Sequence, residues 1–284
     1  MELNNKNRRF FFIRSAKSII GTVGLLSLAN IPFYARANDA ADKDKLKGVG
    51  IKTCPLTTEQ IVGPYFVDYK ILRRDITESQ SGIPLLLKIK VIDSVTCEPV
   101  DNILVDIWHC NARGKYSGWS FISPDKEATT DNVGTVNRTD STSFFRGIQP
   151  TDQNGAVRFT TIFPGFYAGR ATHIHVAIRR PSKNPLEKEH FAFVGQLYFP
   201  EDLCKVVYSN EPYSSPRDIT RVTNEKDEYF TKMNGELSLL MVNKINERDF
   251  NDGFTGEIVL SIDKNATSKY LTQNDLYKHT VSNE

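Results

Sequence analysis

The sequence predicts an all-β protein, a β-sandwich of mostly antiparallel strands with long loops that carry functional residues. Three observations predict this fold: short runs of alternating apolar residues, turn-forming clusters between the runs, and long polar loops among them. Hydrophobic residues make up 39% of the 284 residues, so the chain can bury a sizeable core. We therefore expect the bulk of the chain to fold rather than to remain disordered.

Four segments show the strand pattern, and they comprise residues 83–93, 102–108, 156–163 and 258–262. The first is densely apolar, as in a strand that is buried on both faces. In the second, Ile103, Val105 and Ile107 share one face because side chains alternate along a strand. Clusters of Gly, Asn, Asp and Pro separate such runs, and Pro150 to Gly155 is one of them.

Two polar loops and one ambiguous segment complete the prediction. The loops span residues 120–143 and 180–190, and a helix is predicted over residues 226–243. Residues 38–53 are polar and charged, which is typical of a linker. The simplest organisation is a linker followed by one domain over residues 54–284.

The N-terminus has the pattern of a targeting segment. Arg8 and Arg9, followed by three phenylalanines, resemble a twin-arginine signal. A short apolar stretch over residues 19–28 precedes Ala35 and Ala37, which form an A-x-A cleavage site. Residues 1–37 are therefore expected to direct export to the periplasm or the medium, with no stable membrane span after processing. An uncleaved anchor or a disordered tail is the alternative.

The charge of the chain argues against a nucleic-acid partner. Six of the 36 basic residues but only one of the 34 acidic residues lie in residues 1–37, so removal of that segment turns the net charge from +2 to about −3. No basic stripe is left in the sequence to neutralise phosphates.

The four cysteines are Cys54, Cys97, Cys110 and Cys204. No two form a C-x-x-C pair, which disfavours a zinc knuckle. In an oxidising compartment one or two disulfides can form, and buried free thiols are the alternative. The sequence does not choose among the three possible pairings.

The sharpest local signal is His173-Ile174-His175. On a strand both imidazoles project from one face, while Ile174, Val176 and Ile178 lie on the other. An apolar face toward the core and a histidine pair toward a cavity suit two metal ligands. The same pattern also occurs in zinc sites, in cupins and on ordinary surface strands.

Two tyrosines strengthen the metal hypothesis. Tyr167 lies six positions before His173, Arg170 lies between them, and Tyr116 follows another predicted strand. Phenolate is a strong oxygen donor, and together with two imidazoles it favours ferric iron over ferrous iron or zinc. A bound metal ion would also keep both phenols deprotonated far below their free pKa of about 10.

These residues resemble the intradiol ring-cleaving dioxygenases, a family that includes protocatechuate and catechol dioxygenases. The matching pieces recur in the family's order over roughly residues 54–262, and they are Gly63-Pro64-Tyr65-Phe66, residues 105–117, Phe145-Arg146-Gly147, Thr151-Asp152, residues 161–167, Gly169-Arg170, residues 173–175 and Gln196-Leu197-Tyr198-Phe199. The helical dimerisation region that precedes this domain in catechol dioxygenases has no counterpart here. The chain is more similar to exported relatives of the protocatechuate enzymes.

The resemblance implies a non-haem ferric ion held by four ligands, namely Tyr116, Tyr167, His173 and His175. It implies that Arg170 and Gln196 lie beside the substrate, and that Tyr167 also acts in catalysis by releasing the metal and accepting a proton. The implied substrates are a small aromatic diol of the catechol type and dioxygen, and the product is a muconate-type dicarboxylate.

Two other functional classes stay open from the residues alone. One is an exported, non-catalytic β-sandwich binding domain, and the other is a zinc or ferrous H-x-H enzyme such as a cupin. Three further polar residues are interpreted as framework or turn residues rather than as ligands or catalytic acids, namely His109, Asp106 and Asp152.

Overall fold

The computed structural model describes residues 54–277, apart from residues 127, 128, 130–135, 183–186, 215 and 216. The predicted signal segment, residues 1–37, and the predicted linker, residues 38–53, lie outside the described residues. The described residues fall within the range 54–284 that the sequence assigns to one domain.

Within the described residues, eight strands form two four-stranded sheets, and they are β1 (Pro84–Asp93), β2 (Leu104–Trp108), β3 (Arg146–Pro150), β4 (Ala156–Ile162), β5 (His173–Arg179), β6 (Phe191–Tyr198), β7 (Met241–Lys244) and β8 (Phe254–Ile262). The first sheet has the order β4-β1-β8-β7 and the second β3-β2-β5-β6. Strands β1 and β8 run parallel, and the other described ladders are antiparallel. The prediction of a mostly β chain with mainly antiparallel pairing is confirmed.

The helices in the described part of the chain are short, and they are α1 (Glu201–Val207), α2 (Glu228–Lys232), α3 (Gln273–Tyr277) and the 3-10 turns Lys188–His190, Asn224–Lys226, Gly235–Ser238 and Phe250–Asp252. Among the described residues, no helix has the length and apolarity needed to cross a membrane.

The helix predicted over residues 226–243 is wrong beyond its first part. Asn234 adopts a left-handed conformation with a φ of 51°, which separates α2 from the short 3-10 turn Gly235–Ser238. No continuous α-helix therefore extends through this segment. The last residues of the segment, Met241–Lys244, instead pair with β8 at the edge of the first sheet. Pairing with a neighbouring strand, which a local pattern does not reveal, decides the structure there.

Both sheets bury one face in a common apolar core. The core includes alternate residues of β1, β2, β4, β5, β6 and β8, among them Leu87, Ile107, Phe159, Val176, Leu197 and Leu260. The prediction that residues 83–93 are buried on both faces is wrong, because β1 alternates strictly. Leu86 is 44% exposed, whereas its neighbours Leu85 and Leu87 are buried.

The second sheet also buries its other face. A second cluster forms there, and it comprises Val62, Tyr65, Phe66, Val67, Trp108, Cys110, Tyr116, Trp119, Val136, Ala177, Phe191, Val194, Leu271 and Leu276. Strand β5 is consequently buried at every position. Ile174, Val176 and Ile178 face the common core, as predicted, and His173 and His175 project from the opposite face, as alternation requires.

The cysteines divide into one disulfide and two thiols. Cys54 and Cys97 are bonded, with their Cα atoms 5.5 Å apart, which fastens the start of the described chain beside the end of β1. Cys110 and Cys204 are buried and free. The structure thus combines the two alternatives, with one disulfide and two buried free thiols.

The role of the common core can be tested at Phe159, which is 1% exposed. Replacing a buried phenylalanine by alanine removes apolar contacts and leaves a cavity. We expect Phe159→Ala to lower the free energy of unfolding by about 3–5 kcal/mol in urea denaturation. The adjacent Arg158 is exposed on the outer face of β4, so Arg158→Ala should change it by less than about 0.5 kcal/mol. Equal losses in the two variants would contradict the assignment of faces.

Candidate active site

The site is built around the two histidines of β5. His173 and His175 are 2% and 1% exposed, and their Nε2 atoms lie 3.1 Å apart. The pair is held between β2 and β6, since His175 lies opposite Trp108 on one side and Gln196 on the other. The side chains therefore converge because of strand alternation and the registers of the neighbouring strands.

Each imidazole is oriented by a separate contact. The His173 Nδ1 atom lies 2.7 Å from the Ala171 carbonyl oxygen, to which it donates in the tautomer that leaves Nε2 unprotonated. The His175 ring stacks on Trp108, with the ring planes 1° from parallel and the centroids 4.9 Å apart. Gly63, with a φ of +76°, lies directly against the same ring. A Cβ atom at this position would lie only 2.9 Å from His175 Cε1. The glycine is thus required both by its backbone conformation and by the close approach.

The two tyrosines approach the histidines from loops. The Tyr167 hydroxyl lies 3.2 Å from His173 Nε2, and the Tyr167 and Tyr116 rings meet edge to face with centroids 5.6 Å apart. Tyr116 follows β2 through a turn whose Gly114 has a φ of +82°, and its ring stacks on Tyr65 at 4.5 Å. The structure therefore brings together all four residues that the sequence predicts as metal ligands.

The arrangement fits a metal ion. The Tyr116 hydroxyl is buried, and the Tyr167 hydroxyl beside it belongs to another candidate ligand. Two nitrogens that bind one ion at a right angle with bonds of about 2.1 Å lie about 3 Å apart, which matches the histidine pair. Two phenol oxygens and two imidazole nitrogens form a donor set suited to ferric iron.

Burial sets the protonation of the four candidate ligands. It lowers the pKa of His173 to about 3 and that of His175 well below its usual 6.5, so both imidazoles are neutral and able to bind a metal. Burial also raises the pKa of Tyr116 and of Tyr167 above 10. A nearby trivalent cation is the kind of charge that would ionise such phenols at neutral pH.

Arg170 and Gln196 lie together beside the ligands. The Arg170 guanidinium donates from a terminal nitrogen to Gln196 Oε1 at 2.5 Å, and its charge faces the Tyr229 ring at 4.4 Å. Gln196 is 1% exposed and is fixed in turn, because its amide donates to the Ile61 carbonyl at 3.1 Å. The neighbouring Tyr167 and Asp227 favour the cationic form of Arg170 and help keep its pKa above the usual value despite burial.

A cavity of about 400 Å³ opens onto this group of residues. Its walls include Tyr65, Tyr116, Trp119, Tyr167, Arg170 and Tyr229. Volume and composition match a small-molecule site, in which an aromatic wall surrounds a few polar groups. The two phenols border the cavity, so a bound molecule can reach the candidate metal position beside them.

Two functional residues were missed by sequence reasoning, namely Asp227 and Tyr229. Asp227 accepts a hydrogen bond from Arg170 Nε at 2.9 Å, and Tyr229 forms the wall over the same guanidinium. Asp227 lies 57 positions from Arg170 in the chain, so no local pattern joins them. The available signal was the preference of Asp for the N-cap of a helix, which Asp227 occupies before α2.

The other polar residues singled out in the sequence have framework or turn roles. His109 is buried and its ring nitrogens lie 2.8 Å from the Cys110 carbonyl and 2.7 Å from Thr161 Oγ1. Asp106 is buried in an ion pair with Arg179. Asp152 accepts hydrogen bonds from two backbone amides of the turn before β4. These contacts are those expected of framework and turn residues.

Comparison with known proteins agrees with this geometry. The family model described as Dioxygenase matches residues 61–235, which is more than half of the chain and includes all the site residues above. An intradiol ring-cleavage dioxygenase from Tetranychus urticae superposes with a TM-score of 0.66 at 32% identity, over 76% of this chain and 98% of that one.

Curated relatives match over shorter lengths. A chlorocatechol 1,2-dioxygenase from Cupriavidus pinatubonensis is 24% identical over 177 residues, and a protocatechuate 3,4-dioxygenase beta chain from Burkholderia cepacia is 32% identical over 145 residues. The matches cover 54% and 46% of this chain, and they span only 61% and 53% of those relatives. With the family model and the Tetranychus urticae structure taken together, the chain belongs to the intradiol ring-cleaving dioxygenase family.

Proposed function

We propose that the chain is a ferric iron-dependent enzyme that uses dioxygen to open the ring of a catechol-type diol between its two hydroxylated carbons, giving a muconate-type dicarboxylate. The observation that carries the proposal is the convergence of two phenols and two imidazoles beside an aromatic cavity that also contains a fixed arginine. Membership of the family supports it.

The ligands in this proposal are Tyr116, Tyr167, His173 and His175. Bound there, ferric iron would act as a Lewis acid that takes up both catechol oxygens and makes the ring reactive toward dioxygen. The remaining chemistry belongs to the side chains of the cavity.

Proton transfer is assigned to Tyr167. Deprotonation of a catechol hydroxyl requires a base at the cavity, and a Tyr167 phenolate, which borders the cavity, would accept that proton. Tyr116 is buried more deeply, at 2% exposure, and would serve as a metal ligand only. Burial raises the pKa of Tyr167, which would make its phenolate a strong base.

Arg170 supplies a fixed positive charge. Its guanidinium borders the cavity and is constrained by Gln196, so it can stabilise negative charge as that charge develops on the substrate. The aromatic residues Tyr65, Trp119 and Tyr229 line the same space, and a substrate that displaces water from it would strengthen the electrostatic effect.

The alternatives fit less well. A zinc or ferrous H-x-H site does not account for the Tyr167 hydroxyl, which lies 3.2 Å from His173 Nε2. A non-catalytic binding domain does not explain why two buried phenols and two buried imidazoles converge beside one cavity. We also infer that the two sheets pack face to face as a β-sandwich, since they share one core, and that residues 1–37 direct export of the folded chain.

The role of Arg170 is tested by Arg170→Ala. Arginine has no lone pair available for a metal, so iron content should stay close to that of the wild type. Oxygen uptake with catechol, per bound iron, should fall about 10²–10³-fold, because a fixed charge near developing charge is lost. The control is Arg221→Ala, which removes a comparable arginine that pairs with Glu201. Unchanged turnover per iron in Arg170→Ala would remove this residue from the mechanism.

The export proposal is tested by replacing Arg8 and Arg9 with lysine. Twin-arginine signals require the arginine pair, so the Arg8→Lys/Arg9→Lys precursor should accumulate in the cytoplasm. Fractionation and immunoblotting of precursor and mature forms provide the measurement. Normal processing of the double variant would exclude this route, although not export by another route.

A further inference from the structure

Asp227 has more structural partners than any role in capping α2 requires. Its side chain is fully buried, and its two oxygens accept hydrogen bonds from four donors. We propose that Asp227 is a positioning residue that holds Arg170 over the candidate iron site and, by the same oxygen, fixes the peptide that orients His173. This inference rests on the proposed function.

The first connection is to the guanidinium. Arg170 Nε donates to Asp227 Oδ2 at 2.9 Å, while a terminal nitrogen donates to Gln196 at 2.5 Å. The Tyr229 ring covers one face of the group at 4.4 Å. Arginine has a long, flexible side chain, and three constraints, two from the start of α2 and one from β6, restrict it to one orientation. Asp227 is the only charged partner among these three.

The second connection reaches His173 through one peptide unit. The Ala171 amide donates to Asp227 Oδ2 at 2.7 Å, and the Ala171 carbonyl lies 2.7 Å from His173 Nδ1. Partners behind a ligating histidine determine its tautomer and its ring orientation. Asp227 therefore acts on a candidate ligand and on the candidate charge-stabilising residue at the same time.

The third connection is to the cavity wall. Asp227 Oδ1 accepts from the Tyr229 and Phe230 amides at 2.8 and 3.1 Å, which begins α2. The other end of this segment is held by Gln60, whose amide donates to the Tyr229 and Met233 carbonyls. Tyr229 is thus fixed both as a wall of the cavity and as the cover of Arg170. The four donors fill the roughly four lone-pair sites of the carboxylate.

The test uses Asp227→Asn in the full-length, iron-loaded protein. The side-chain oxygen of the variant can still accept from the backbone amides of α2. Its side-chain NH2 group then faces Arg170 Nε and the Ala171 backbone amide, and it cannot accept a hydrogen bond from either donor. We expect turnover per bound iron to fall about 10–100-fold, the usual effect of losing a partner behind a metal site. Iron content and the Kd of catechol, measured without oxygen from the visible spectrum, should stay within about threefold.

The matched control is Glu201→Gln. Glu201 is a partly buried carboxylate that, like Asp227, pairs with an arginine, Arg221, and accepts a hydrogen bond from a backbone amide, that of Asn224. It does not line the cavity. Glu201→Gln should lower the melting temperature without changing turnover per iron. If Asp227→Asn lowers only the melting temperature in the same way, Asp227 is structural and the inference is wrong.

A double variant tests whether Asp227 acts through Arg170. In the Arg170→Ala background, Asp227→Asn should lower turnover per iron by a smaller factor than in the wild type, because the part of the loss that passes through Arg170 has already occurred and only the part that passes through His173 remains. A full second loss would contradict the coupling.

The wild type separates this inference from the proposed function, since a wild type that cleaves no catechol refutes the function. The inference is then decided by the anaerobic spectrum of the iron–catechol complex, which Asp227→Asn should shift and Glu201→Gln should not.

Discussion

The separation of 3.1 Å between the Nε2 atoms of His173 and His175 is the constraint on which the rest of the structure depends. Holding two imidazoles so close in a dry interior requires that β5 be covered on both faces and paired on both edges. The second sheet provides the pairing, and the two apolar clusters provide the cover. Trp108 and Gly63 then leave the His175 ring a single orientation.

The same burial explains the chemistry of the site. Removal from water favours neutral imidazoles and protonated phenols, so a cation that binds all four groups would have to carry enough charge to ionise the phenols. Arg170 adds a positive charge nearby without occupying the candidate metal position, because Asp227 and Gln196 draw its guanidinium toward themselves. A low-dielectric cavity makes that charge effective and makes its position matter.

The sequence predicted the parts of the fold and the site that depend on local periodicity. Alternation alone places both imidazoles on one face of β5 and Ile174, Val176 and Ile178 on the other, and the motifs shared with the family identify Tyr116 and Tyr167. Contacts between distant segments could not be predicted in this way. Asp227, the strand at Met241–Lys244 and the Cys54–Cys97 bond each depend on a partner tens of residues or more away, or on an adjoining strand.

The central claim is that two phenols and two imidazoles bind one ferric ion, and metal analysis combined with visible absorption tests it most directly. We predict about one iron per chain and a broad visible band from tyrosinate-to-iron charge transfer. Both the iron and the band should be lost in His175→Ala. Stoichiometric zinc in the purified wild type, with no visible band after loading with ferric iron, would contradict it.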